Sequence, residues 1–138
     1  MLDDTDVIEA VSCDLLQKGY AILRKSRSDR NDVDIVARWS ETGNKIFVSA
    51  AGVASSKAGR ERLEEVYTES QLFNCVTRGI HSALRMEGTE KFAPGDQIAL
   101  ALPDTPGFRN YMNAEKTILD SLGIKVLLVT EDKNVITL

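Results

Sequence analysis

Cysteine and histidine are scarce in this chain of 138 residues, which has two of the first and one of the second. Cys13 and Cys75 are far apart, no Cys-x-x-Cys occurs, and the single histidine is His81. A zinc centre or a histidine-activated nucleophile therefore has almost nothing to be built from. Both thiols sit in helical patterns and are expected to be reduced and half-buried. Long apolar runs are also missing. None approaches the roughly 20 residues that a membrane span needs. The opening "MLDDTD" is acidic and lacks the basic-then-apolar order of a secretion signal, which predicts a cytoplasmic protein. No internal repeat and no linker is visible, so the length predicts one domain, 1–138.

What remains is an ordinary globular composition, 43% hydrophobic and 28% charged. The net charge of −4 argues against a general nucleic-acid binder, but the charge is unevenly spread. From Lys18 to Arg62 there are ten basic and five acidic residues, and the remainder of the chain is strongly acidic. Arg24, Lys25, Arg27, Arg30, Lys57 and Arg60 are the residues of this stretch best placed to meet phosphates. A random surface mixture is the plain alternative.

Asp6, with Glu9 three residues on, predicts a capped first helix with Val7, Val11 and Leu15 on its buried stripe, joined by Ile8 and Leu16. Gly19 stops it. Strands are predicted at 21–24, 33–39 and 45–50, the last two joined by the turn "SETGN". Thr68-x-x-Gln71 caps a second helix, whose buried face is read as Leu72, Val76, Ile80, Ala83 and Leu84. A strand at 97–102, of the kind buried on both faces, leads into a third helix. There Phe108, Tyr111, Met112, Glu115, Ile118, Leu119 and Leu122, mostly apolar, recur at helical spacing. Strands at 125–130 and 135–138 complete the order. His81 reads as a surface or boundary residue, and Tyr67 and Tyr111 as packing residues. Three meandering strands followed by a crossover helix predict an α/β fold, a mixed central sheet flanked by helices.

This order, with several residues in register, resembles the restriction-endonuclease-like fold of the PD-(D/E)xK nuclease superfamily. "IEAVSCDLLQKGY" resembles the first helix of its Holliday-junction-resolvase and Mrr-like branches: an early acid, here Glu9, then Leu15-Leu16 and the step Gly19-Tyr20. "DVDIVAR" resembles the strand bearing the superfamily's metal-binding aspartate, which falls on Asp34. "KIFVSAAG" resembles the next strand, which usually carries Glu-x-Lys. Gln71 falls where many members have a glutamine, and it is explained equally well as part of a cap.

The resemblance implies phosphodiester hydrolysis at a magnesium ion held by carboxylates. Such a metal lowers the pKa of an attacking water, and a lysine on the same strand face orients that water. This chain departs from the pattern at its centre: the glutamate position is Ser49 and the lysine position is Ala51. Asp34 and Glu9 are left as candidate metal ligands. The plain readings are a turn-adjacent strand residue for Asp34 and an acid at a helix start for Glu9. No cofactor is expected as the chain stands, and magnesium is expected if the site works or is restored. "GVASSKAG" lacks the second glycine directly before Lys57 and is excluded as a phosphate loop.

Three functions are compatible with these residues. The first is a nuclease-like domain with a degenerate site, acting as a nucleic-acid-binding or regulatory module in DNA repair or defence. The second is a magnesium-dependent endonuclease, either using relocated groups such as Lys57 or Arg60 or disarmed at Ser49 and Ala51. The third is a protein-interaction module without nucleic-acid contact. DNA is the expected partner, a homodimer is compatible with the size, and no residue pattern specifies an interface.

Overall fold

A computed structural model describes residues 2–25, 34–50, 77–85 and 93–138. Helix α1 (Asp4–Gln17) precedes three strands, β1 (Tyr20–Lys25), β2 (Ile35–Trp39) and β3 (Lys45–Ala50). A helix over 77–85, α2, precedes β4 (Gln97–Pro103). Then come α3 (Pro106–Ser121), β5 (Ile124–Val129) and β6 (Val135–Thr137). The strands form one six-stranded sheet in chain order. β1, β2 and β3 pair antiparallel, β3, β4 and β5 pair parallel, and β6 returns antiparallel. The parallel steps follow from the intervening helices, because only a crossover brings the next strand back in the same direction.

Strand alternation sorts the core into two layers. Val36, Phe47, Ile98, Leu100, Leu102 and Val126 pack with Ala83 of α2 and Phe108, Met112 and Leu119 of α3. Ile35, Ala37, Ile46, Val48, Ala99, Ala101 and Leu127 pack with Val7, Ile8, Val11 and Leu15 of α1. β4 offers only alanines to α1, so that helix can lie close to the middle of the sheet. On the other side Gly79 lets α2 approach just as closely: a Cβ there would come within 2.6 Å of Leu100 Cδ1.

The helix order, the β2–β3 hairpin and β3 at 45–50 are as the sequence predicts. Several details differ. α1 is capped by Asp3, whose carboxylate accepts the Asp6 N–H, while Asp6 returns a bond to the Asp3 N–H. The expected Asp6–Glu9 box is therefore shifted by one turn. Leu2 and Val7 flank the observed cap and are both buried, which makes a hydrophobic staple and selects the earlier frame. Leu16 and Leu84 are exposed rather than buried, and on α3 Ile118 and Leu122 are 66% and 50% exposed. Cys13 is exposed, not half-buried. His81 is exposed and Tyr111 packs against the core, as expected. Among the described residues no helix is long and apolar enough to cross a membrane.

Candidate functional site

β3, β4 and β5 run parallel and end together at one edge of the sheet. Backbone groups run out of ladder partners at such an edge, and side chains from neighbouring strands take them over. Asp34 does this at the start of β2. Its N–H donates to the Val48 carbonyl at 2.8 Å, and its Oδ2 accepts the Ala50 N–H at 2.7 Å. The aspartate thus grips β3 on both sides of Ser49. Ser49 is buried and opposite Leu100 of β4, and alternation puts it on the Phe47 face. The pairing expected between the 33–39 and 45–50 segments is present, from Ile35 opposite Val48 to Arg38 opposite Lys45.

Glu9 behaves differently. It lies on α1, and its carboxylate binds the Lys25 ammonium at 2.8 Å, tying the helix to the last residue of β1. This ion pair occupies one proposed metal ligand and one proposed phosphate contact with each other. Arg24 is exposed beside it. Ala51, Gln71, Arg27, Arg30, Lys57 and Arg60 lie outside the described residues, as do Tyr67, Thr68 and Cys75.

Two further residues at this edge carry charge that the sequence reading did not single out. Asp104 follows β4, its N–H donating to the Val129 carbonyl at 2.7 Å. Both its oxygens accept from Arg109 of α3, at 3.0 Å from Nε and 2.8 Å from Nη2. The hydrogen bonds that Arg109 donates to Asp104, and then the charge of that carboxylate, raise the Arg109 pKa above the usual arginine value. The fork is thus permanently charged, a planar clamp that fixes the β4–α3 turn. Its position just past a buried parallel strand was the available signal, since polar residues gather there in α/β sheets.

A magnesium ion prefers octahedral oxygen donors with at least one or two carboxylates. Among the described residues, Asp34 accepts the Ala50 N–H, Ser49 is neutral, Glu9 pairs with Lys25, and Asp104 pairs with Arg109. Among the described residues, no three His, Cys, Asp or Glu side chains come together in a way that could hold a metal ion.

No protein-family model matches the sequence, and no curated protein matches it. Solved structures do match, along nearly the whole chain. A XisH family protein from Nostoc punctiforme PCC 73102 superposes with a TM-score of 0.54 at 16% identity, covering 95% of this chain and 96% of that one. An fdxN element excision controlling factor protein from Anabaena variabilis gives a TM-score of 0.54 at 18% identity, covering 96% of each chain. At this identity the likeness concerns the fold, and the chain has the restriction-endonuclease-like architecture of a mixed sheet between helices.

Proposed function

We propose that residues 1–138 act as one divergent domain of the PD-(D/E)xK superfamily, near its Holliday-junction-resolvase and Mrr-like branches. In this reading it works in the cytoplasm as a nucleic-acid-binding or regulatory module whose metal site is degenerate. The observation that carries this reading is the engagement of Asp34. The carboxylate that would hold the metal instead closes the end of the sheet through the Ala50 N–H, beside a neutral, buried Ser49. The sequence adds Ala51 where the lysine would stand. The architecture shared with an fdxN element excision controlling factor protein supports a role on DNA, in repair, in a mobile element or in defence.

The test is restoration. Ser49→Glu together with Ala51→Lys supplies the missing anionic ligand and cation. Cleavage of supercoiled, single-stranded and branched DNA with magnesium or manganese should be absent in the unmodified protein and appear in the double variant. Removing such groups typically costs about two or more orders of magnitude in rate, so recovery is easily read. Either replacement alone should recover much less, because the groups act as a unit. Cleavage by the unmodified protein that disappears in Asp34→Ala would favour the enzyme reading, with relocated groups such as Lys57 or Arg60. Absence of binding to any nucleic acid at low salt would favour the interaction module.

A further inference from the structure

The two helical layers that cover the sheet differ in charge. α1 packs on one face, and its 14 residues include four acids, Asp4, Asp6, Glu9 and Asp14, and no base. α2 and α3 share the other face. In a chain with 21 acidic residues, no acid occurs from Gln71 to Met86, a span that includes all of α2.

Helical spacing gives α2 two sides. Gly79 and Ala83 are buried, with Ile80 packed beside them, and this side meets Leu100 and the sheet. Arg78, His81 and Arg85 are exposed, and their spacing of three and four residues lines them up in one stripe on the opposite side. At 1.5 Å per residue the stripe is about 10 Å long, which is about three phosphate steps of one duplex strand. Arg78 has no ion-pair partner among the described residues. The residues three and four positions from it are Asn74, Cys75, His81 and Ser82, so no carboxylate lies within helical reach of its guanidinium.

α3 extends this surface without adding opposing charge. Asn110, Asn113 and Thr117 are exposed along one ridge of the helix, and all three are polar and uncharged. The charged side chains of α3 are engaged or turned away. Arg109 is held by Asp104, and Lys116 pairs with Asp120 at 2.8 Å. Glu115 is half-buried, on the sheet side between the buried Met112 and Leu119. The layer thus offers a guanidinium, an imidazole, side-chain amides and a hydroxyl. These are the groups that bind phosphate oxygens.

We propose that the outer face of α2 and α3 binds the phosphate backbone of duplex DNA, with Arg78 as its charged anchor. His81 and Arg85 lie along the same stripe, and the α3 ridge supplies neutral donors. This rests on the reading of the domain as a nucleic-acid-binding module, and it assigns a contact surface outside the basic stretch around the hairpin. The contacts are to phosphates, so they carry no base preference. The acidic α1 layer repels the same polyanion and turns the other layer toward it.

Fluorescence anisotropy of a labelled duplex with the full chain, followed across a salt series, tests the proposal. Arg78→Glu should weaken binding at least about tenfold at low salt, the scale of one charge-assisted contact. Asn113→Asp, which exchanges one amide for a carboxylate, should weaken it several-fold. Arg78→Gln should reduce the steepness of log affinity against log salt by about one, equally on duplexes of unrelated sequence, and Arg78→Lys should restore it. Lys18→Glu makes the same charge change at the end of α1 and should have a much smaller effect. With native circular dichroism in all variants, an effect of Arg78→Glu no larger than that of Lys18→Glu would overturn the surface. The nucleic-acid reading would then stand, because the unmodified chain still binds. An effect confined to one DNA sequence would overturn the assignment to phosphates. No binding of any duplex by the unmodified chain at low salt would overturn both the surface and the reading on which it rests.

Discussion

Replacing Asp34 separates a structural clamp from a metal ligand. The Asp34 Oδ2 to Ala50 N–H bond is short, 2.7 Å, partly buried, and made by an ionised acceptor to the last residue of β3. Hydrogen bonds to charged groups contribute about 1.5–3 kcal/mol. Part of that is recovered in Asp34→Ala if water reaches the released N–H, so a loss of about 1–2 kcal/mol is expected. For a domain of this length that corresponds to a fall in Tm of roughly 3–8 °C. Asp34→Asn keeps a neutral carbonyl acceptor, and neutral bonds are about half as strong, so it should lose about half as much. The assay is thermal unfolding followed by Trp39 fluorescence and circular dichroism, with and without magnesium. Ligand saturation stabilises a native state by about 2.7 kcal/mol at a hundred times Kd. A clamp therefore predicts Tm values that do not respond to magnesium in either protein beyond the response to ionic strength. Two results would refute the reasoning. One is an Asp34→Ala variant as stable as, or more stable than, the parent. The other is a magnesium-dependent rise in Tm that the substitution abolishes.

Other perturbations follow from the packing and the surface. Gly79→Ala should destabilise by about 1–2 kcal/mol: overpacking costs about 1–3 kcal/mol, and the better helix propensity of alanine returns part of it. Leu100→Val in the same chain should relieve that strain, so a double-mutant cycle by urea denaturation should show favourable coupling, and additive losses would rule out the close approach of α2 to β4. Asp3→Ala should cost about 1 kcal/mol through loss of the α1 cap, whereas Glu9→Ala should cost less than about 1 kcal/mol, the scale of a half-exposed ion pair. Equal losses in chemical denaturation would return the cap to the later frame. DNA binding, measured by fluorescence anisotropy, should fall steeply with salt, and Arg24→Glu should weaken it more than Lys116→Glu, whose ammonium is paired with Asp120. Indistinguishable variants would argue against a basic face around the hairpin.

Local chemistry was enough to locate most elements. β3 was legible to the residue because Ile46, Phe47 and Val48 are bounded by the turn at Thr42-Gly43-Asn44 and by a run of small residues. The end of α1 was legible because Gly19 takes φ +95°, which few residues other than glycine adopt. The fold class followed from the order of these elements, since parallel neighbours need a crossover connection and the helices supply one. The start of α1 was ambiguous. Asp3-x-x-Asp6 and Asp6-x-x-Glu9 are both acceptable caps, and only burial of Leu2 against the sheet face chose between them. Helical spacing likewise could not say where the apolar stripe of α3 ends, because Ile118 and Leu122 share its period and yet are exposed, Leu122 lying past the last helical residue.

The candidate site divides in the same way. The sequence marked Asp34, Ser49 and Ala51 through the motif frame in which they fall. It did not reveal that the aspartate grips the backbone of β3, or that Glu9 is tied to Lys25, because side-chain partners depend on how strand ends align. Sequence encodes periodicity and turns within short windows, whereas charge brought together across the chain is decided by strand register.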